Sequence, residues 1–204
     1  LPASVEHACE TLQRNQIASI AGSEIVALSQ GVVFGKQHQL CQGAVFAGKG
    51  GSWIAVHEEK LDELAEILRT LEGEPVIVCY WYEHDLARLL DRFPQAVDVA
   101  TAPGLDAALK GHVQLALLHP AAAGHGIDGL QLHFQNIVWF ALPASFELYD
   151  QANKRLVRSG QRETVQIFRI LAANGIADRR LAQRLLSKES GQEAFFDHIK
   201  AAQA

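Results

Sequence analysis

The chain has 204 residues, of which 49% are hydrophobic and 20% charged, proportions typical of an ordinary globular protein. Its formal net charge of -5 argues against a uniformly basic nucleic-acid-coating protein, although it is compatible with a local basic patch. No run of 18 apolar residues and no signal peptide are present, so we expect a cytoplasmic protein with no membrane partner. The chain contains no methionine, and we expect it to be a fragment of a longer polypeptide.

The cysteines are too few and too widely spaced for a disulfide framework. Cys9, Cys41 and Cys79 lie in apolar surroundings, which predicts buried thiols in a reducing compartment. The nine histidines are scattered and show no ligand spacing, so we predict no metal site in the chain.

Hydrophobic periodicity gives the order of the predicted elements. Residues 1–30 have a helical pattern, residues 31–55 are rich in Gly and Gln and irregular, and a helix begins near Glu58. Farther along, short apolar runs alternate with helical patterns, which predicts an α/β fold with a mainly parallel sheet covered on both faces. The predicted strands are residues 76–80, 97–100, 113–118, 136–140 and 164–171, the predicted helices are residues 85–90, 104–110 and 145–159, and two more helices close the chain.

The predicted helix over residues 145–159 carries the most informative pattern. Gln151, Arg155 and Arg158 recur at i, i+4 and i+7, so they share one face of that helix, and Gly160 is its expected stop. Two arginines on a rigid helix suit the stabilisation of charge on a phosphate, although a basic helix face is also typical of an ordinary solvated surface. The residues predicted to bury the neighbouring face are Leu148, Tyr149, Ala152 and Leu156.

A glycine-containing loop over residues 119–128 follows the predicted strand 113–118. Gly124 and Gly126 allow a close approach of backbone to a ligand, and ligands gather at the carboxyl ends of parallel strands. No third glycine follows at the spacing of a dinucleotide-binding fingerprint. We therefore expect Gly124 and Gly126 to converge with Arg155 and Arg158 at one edge of the sheet.

A second glycine pattern is a weaker candidate for phosphate binding. Residues 43–49 fit the first part of a P-loop, but Gly50 replaces the Ser or Thr that would hold magnesium. No apolar strand precedes Gly43, so we interpret the segment as a flexible loop.

The order of these parts resembles a known family. The strand at 76–80, the loop at 119–128, the strand at 136–140 and the pattern QxxxRxxRxGQ over residues 151–161 together resemble the second RecA-like lobe of Swi/Snf-type ATPases of helicase superfamily two, in their bacterial and phage-encoded branch. The resemblance covers roughly residues 56–200. It implies a RecA-like three-layer α/β domain over residues 56–204, preceded by a helical segment over residues 1–55 that connects it to an absent first ATPase lobe.

The resemblance also implies roles for individual residues. Arg155 and Arg158 match the two arginines that meet the γ-phosphate of ATP across the cleft between the lobes, and Gln151 matches the first residue of the same motif. The implied cofactors are ATP and Mg²⁺, bound mainly by the absent first lobe. The implied partners are that lobe and double-stranded DNA.

The glycine loop is implied to belong to the nucleotide site as well. Gly124 and Gly126 match the loop that couples the nucleotide and DNA sites, and Asp128 stands where an Asn is usual. Other departures are residues 119–121, His-Pro-Ala in place of a common Ser-Thr-Lys, and Ala144 in place of a common Trp. Two further interpretations stay open: a non-catalytic nucleic-acid or protein-binding module with the same fold, and an α/β nucleotide-binding enzyme unrelated to helicases.

Overall fold

A computed structural model describes residues 1–47, 51–122 and 128–202, and side chains as far as residue 191. The helices are α1 (Ala3–Asn15), α2 (Gln30–Gln42), α3 (Glu59–Thr70), α4 (Glu83–Arg92), α5 (Ala102–Leu109), α6 (Phe146–Asn153) and α7 (Ile176–Ala202), with a short 3-10 helix at Leu130–Leu132. The strands are β1 (Ile17–Ile20), β2 (Ser23–Val26), β3 (Ala44–Phe46), β4 (Trp53–Ala55), β5 (Val76–Cys79), β6 (Val97–Asp98), β7 (Leu115–Leu118), β8 (Asn136–Trp139) and β9 (Gln166–Arg169).

The centre of the molecule is a five-stranded sheet in the order β6-β7-β5-β8-β9. Every pairing in it is parallel. The three middle strands are buried along their whole length, as expected for strands covered on both faces, because continuous apolar runs then lose water on either side. The predicted α/β fold with a mainly parallel sheet is confirmed.

Helices cover both faces of this sheet and produce three layers. Side chains alternate along β5, so that Val76 and Val78 face one core while Ile77 and Cys79 face the other. The first core includes side chains of α3 and α4, and the second includes side chains of α5, α6 and α7. The helix predicted from Glu58 corresponds to α3. In place of the two predicted closing helices there is one continuous helix, α7.

Residues 1–55 have a small core of their own, which lies beneath α1, α2 and the two hairpins β1-β2 and β3-β4. The predicted helix at the start of the chain is confirmed by α1, but residues 17–26 form a hairpin instead of continuing it. Gln16 ends α1 in the left-handed region, at φ 61°. The hairpin then turns through Ala21 and Gly22, at φ 48° and 76°, the pair of positive angles that matches the twist of two short strands.

The prediction that residues 31–55 are irregular is wrong, because α2, β3 and β4 lie there. The hydroxyl oxygen of Ser29 accepts a hydrogen bond from the N–H of Val32 and caps α2. Gly43 ends α2 at φ 94°, and a Cβ added there would lie 2.3 Å from the carbonyl oxygen of His57. The first residues of the P-loop-like segment therefore form a helix end and a strand, while residues 48–50 lie outside the described part of the chain.

A buried polar network joins the N-terminal segment to the sheet domain. Lys60 Nζ lies 2.7 Å from Asp178 Oδ2 and donates to Gln42 Oε1 at 2.8 Å. Gln42 in turn donates to Asp178 Oδ1 at 3.2 Å, so α2, α3 and α7 meet at one buried carboxylate. Burial opposes ionisation of Asp178, but the Lys60 charge and a hydrogen bond from the Ala172 N–H outweigh it and lower its pKa.

His38 lies at the edge of this network, with Nδ1 2.9 Å from the hydroxyl of Tyr82. Burial lowers the pKa of His38 to about 4, because the charged ring would lose its hydration. The unfolded chain therefore binds a proton near pH 6.5 that the folded chain takes up only near pH 4. The contribution of the neutral His38 ring to the free energy of unfolding is complete above pH 6.5. It is lost as the pH falls from 6.5 towards 4.

We expect the free energy of unfolding to fall between pH 7 and pH 4.5, with up to about 3 kcal/mol of the loss due to His38. Urea unfolding at several pH values measures this slope. The variant His38→Gln cannot take up the proton and should show a clearly shallower slope. Equal slopes for the two proteins would show that His38 does not govern acid stability.

Among the described residues, no helix is long and apolar enough to cross a membrane.

Candidate functional site

Helix α6 ends earlier than its periodicity predicts. It stops at Asn153, and the chain then turns through two short-range bonds, from Arg155 N to Ala152 O and from Leu156 N to Asn153 O. Gln151 is therefore helical while Arg155 and Arg158 are not, and the prediction that all three share a helix face is wrong. Gly160 is indeed left-handed, at φ 94°, but it lies in a later turn rather than at the helix end.

Two core contacts accompany this early end. Asn153 is buried, and its Oδ1 accepts a hydrogen bond from the indole Nε1 of Trp139 at 2.9 Å. Leu156 is fully buried in the same core as Tyr149 and Ala152. The predicted apolar anchors are thus buried, apart from the partly exposed Leu148, but Leu156 reaches the core from a turn. Asn153 and Leu156 are both buried, one on each side of Lys154. The backbone that leads from α6 into the next residues therefore has a defined orientation.

The residues after α6 nevertheless bring the predicted side chains together. We call residues 154–162 the arginine segment. An open depression of about 400 Å³ is lined by Gln151, Lys154, Arg155, Val157 and Arg158. Gln151 Nε2 donates to Glu147 Oε1 at 3.1 Å within α6, and Lys154 pairs with Asp150 at 2.6 Å. The three cationic side chains of this surface are chemically suited to a phosphate group, and two acids, Glu147 and Asp150, lie beside them.

The arginine segment contacts the end of the loop that follows β7. Arg158 Nη1 lies 3.2 Å from Asp128 Oδ1, with side-chain exposures of 36% and 66%. Two parts of the predicted site that are distant in sequence are therefore neighbours in space. Gly124 and Gly126 lie outside the described residues, so their expected convergence with the two arginines stays a prediction.

The position of this contact differs from the predicted carboxyl edge of the sheet. Gln161 Nε2 donates to the carbonyl oxygen of Phe134 at 2.9 Å, just before β8 begins, so the arginine segment lies where β8 and β9 start. The reason is topological: a connection between parallel strands must cross from the carboxyl edge to the amino edge. His119, at the beginning of the loop, lies at the carboxyl edge, where its ring stacks on Trp81 at 5.2 Å. Asp128 comes after the crossing.

Two glutamines fix the arginine segment. Gln131 Nε2 donates to Asp128 Oδ1 and to the Ser159 carbonyl oxygen, both at 3.4 Å, and its Oε1 accepts from Gly129 N at 3.1 Å. Gln161 Oε1 accepts from the N–H groups of the next two residues at 2.9 and 3.0 Å. Gln161 is part of the sequence pattern, whereas Gln131 stands in no motif and sequence reasoning missed it.

The described residues contain no cluster of three His, Cys, Asp or Glu side chains arranged to hold a metal ion. All three cysteines are buried and unbridged. The chemistry that the described site offers is therefore electrostatic: guanidinium and ammonium groups around a depression, with one carboxylate beside Arg158.

The three layers and the parallel strand order define an α/β protein with the fold of a RecA-like lobe. The C-terminal part of the Fun30 ATPase domain has a similar fold: its crystal structure superposes with a TM-score of 0.54 at 22% identity, over 61% of this chain and 44% of that one. The Hef helicase domain of Pyrococcus furiosus superposes less closely, with a TM-score of 0.46 at 17% identity over 63% and 28% of the two chains, a similarity too weak to define a relationship.

No protein-family model matches the chain. The chain is similar to the protein designated p41 of Acyrthosiphon pisum secondary endosymbiont phage 1, with 28% identity over 206 aligned positions that cover 98% of this chain and 44% of that protein. The chain thus spans less than half the length of this relative.

Proposed function

We propose that this chain is the second RecA-like lobe of an ATP-driven DNA motor of the Swi/Snf type, in the bacterial and phage-encoded branch of superfamily two. Arg155 and Arg158 act as its arginine fingers, on ATP held by the P-loop and magnesium ligands of a first lobe. The observation that carries the proposal is the contact of Arg158 with Asp128, which joins the two sequence patterns expected to share a nucleotide site.

The fold supports this proposal independently of the motif. A solved structure of similar fold is the C-terminal part of an ATPase domain, and the sequence resemblance predicts the same position for this chain. The phage origin of the similar protein p41 agrees with the proposed branch. At 22% identity, the similarity to the Fun30 structure supports the fold alone.

The side chains of the site fit part of the proposed task. Lys154, Arg155 and Arg158 line one depression, where guanidinium groups can bind phosphate oxygens and stabilise the charge that develops in phosphoryl transfer. Magnesium would neutralise the phosphates and orient them, but two carboxylates beside the depression, Asp128 and Asp150, are paired with Arg158 and Lys154. We therefore place the magnesium ligands on the first lobe.

The proposed cycle uses closure of the cleft between two lobes. With ATP on the first lobe, closure brings Arg155 and Arg158 to the γ-phosphate; hydrolysis then removes the group that they bind, and the lobes separate. Alternation between the two states moves the motor along double-stranded DNA. The fixed direction of the arginine segment after α6 matters here, because a displacement of about 1 Å is enough to weaken catalysis strongly.

We expect the purified 204-residue chain to hydrolyse no ATP above background, because arginine fingers alone cannot position magnesium and a triphosphate. The measurement is phosphate release with Mg²⁺, in the presence and absence of duplex DNA. A polypeptide that also contains the first lobe should show DNA-stimulated turnover. Robust turnover by the 204-residue chain that is abolished by Lys49→Ala would contradict the proposal and restore residues 43–49 as a nucleotide site.

A binding module without catalysis is the second candidate function. It is favoured by the acid beside Arg158, which competes with a phosphate for that guanidinium group. A two-lobed polypeptide that binds DNA but shows no DNA-stimulated turnover would select this candidate over the motor.

A further inference from the structure

The carboxylate of Asp128 occupies a place where a phosphate would be expected. Its Oδ1 lies 3.2 Å from Arg158 Nη1, within the range of a charge-assisted hydrogen bond. An incoming phosphate oxygen would need the same N–H donors and would approach a group of its own charge. Asp128 therefore opposes anion binding at Arg158 both by occupying a donor and by electrostatic repulsion.

The chain holds this carboxylate in place. Oδ1 of Asp128 also accepts from Gln131 Nε2 at 3.4 Å, and the same amide group binds the carbonyl oxygen of Ser159, next to Arg158. Gln131 is only 8% exposed. Its amide therefore links Asp128 of the loop to Ser159 of the arginine segment from the buried side of the surface. The pair is thus part of a bonded arrangement rather than an encounter of two loose surface side chains.

A second ion pair on the described part of this surface provides a comparison. Asp150 pairs with Lys154 at 2.6 Å across one turn of α6, with side-chain exposures of 27% and 60%. This second acid neutralises a different cation of the same depression and leaves Arg158 untouched. The effect of Asp128 on Arg158 can therefore be separated from a general change of charge.

We propose that Asp128 is a positioning residue that holds Arg158 as an internal counter-ion and releases it only when a polyphosphate takes its place. The carboxylate orients the guanidinium group in the resting protein and lowers its affinity for phosphate. Asp128 thereby sets the affinity that an anion needs in order to bind Arg158. This role is the opposite of a direct contact between Asp128 and a nucleotide. The identification of that polyphosphate as ATP rests on the proposed function.

Inorganic pyrophosphate is a suitable probe, because it needs neither the first lobe nor hydrolysis. We would titrate it at low salt into the 204-residue chain and its variants and follow the arginine Nε–Hε resonances by NMR. Asp128→Asn should bind pyrophosphate about two- to fivefold more tightly, as expected for the loss of an exposed competing pair. Its Arg158 resonance should also shift before any pyrophosphate is added.

The matched control Asp150→Asn removes the same charge from the same surface and should leave the Arg158 resonance in place. Arg158→Ala should abolish the tighter binding. The proposal is overturned if Asp128→Asn binds pyrophosphate no more tightly than the unaltered chain, if the Arg158 resonance does not move in Asp128→Asn or moves equally in Asp150→Asn, or if no pyrophosphate binding depends on Arg158. A failure of the motor assignment would give a different result in a different experiment: the two-lobed protein would keep its ATP turnover in the variant Arg158→Ala.

Discussion

Replacing Lys60 with methionine is expected to lower the free energy of unfolding by about 3–5 kcal/mol. Lys60 and Asp178 are 4% and 0% exposed, and their charged atoms lie 2.7 Å apart. Methionine keeps most of the volume of the side chain but leaves the Asp178 carboxylate buried without its counter-ion. Because Asp178 also joins α7 to Gln42 of α2, the variant weakens the attachment of the N-terminal segment to the sheet domain.

Equilibrium urea unfolding measures this loss, and the chain offers a matched control. Arg92 pairs with Asp62 at 3.2 Å between α4 and α3, but their side chains are 47% and 64% exposed. Arg92→Met should therefore cost only about 0–1 kcal/mol. The double variant Lys60→Met/Asp178→Asn should recover part of the loss, because the unpaired charge is gone. A cost for Lys60→Met no larger than that of Arg92→Met would show that the buried pair does not secure the fold.

The parallel sheet could be predicted because its strands have a simple pattern. β5, β7 and β8 are buried along their full length, and apart from Asn136 at the start of β8 each is a short run of consecutive apolar residues. A strand buried on both faces needs no alternation, and the intervening helices show their own period. Local sequence therefore contains enough information to give both the elements and the α/β class.

The N-terminal segment could not be predicted in the same way. Helix α2 contains two glycines, Gly31 and Gly35, and several glutamines, so its own sequence shows neither strong propensity nor an apolar stripe. It is stabilised instead by partners far along the chain, such as Asp178. The β1-β2 hairpin turns at Ala21-Gly22, a pair less diagnostic than Asn-Gly.

Three of the predicted site residues do lie together, but the geometry predicted for them is wrong. Gln151, Arg155 and Arg158 line one depression, but a turn rather than a helix brings them together. The hydrogen bond from Trp139 to Asn153 that accompanies the end of α6 joins a strand to a helix, so no local pattern reveals it. The pairing of Arg158 with Asp128 likewise depends on how the loop crosses the sheet. Their catalytic roles stay predictions.

Arg158→Ala is expected to lower DNA-stimulated ATP turnover by about 10³–10⁵ in a protein that contains both lobes, which corresponds to about 4–7 kcal/mol of barrier. A finger arginine acts mainly on the charge of the transition state, so DNA binding should change little. ATP binding should weaken only a fewfold, because Asp128 already offsets part of the ground-state attraction of Arg158. If Arg158 served only its exposed ion pair with Asp128, the variant would cost about 0–1 kcal/mol of stability and leave turnover unaffected.

Two variants separate charge and geometry from a general effect on the segment. Arg158→Lys keeps the positive charge but loses the planar fork of donors, so turnover should stay low. Arg162→Ala removes an exposed cation of the arginine segment that does not line the depression, and should retain most of the activity. Arg155→Ala should resemble Arg158→Ala, since the resemblance assigns both residues to the γ-phosphate.

The most direct test of the motor assignment is therefore the steady-state ATP turnover of Arg158→Ala in the two-lobed protein, measured with saturating duplex DNA alongside ATP and DNA affinities. We predict a loss of turnover of at least about a thousandfold, with DNA affinity nearly unchanged and ATP affinity lowered only a fewfold. Turnover above about a tenth of the wild-type value would be far more than the loss of a finger permits, and it would contradict the assignment.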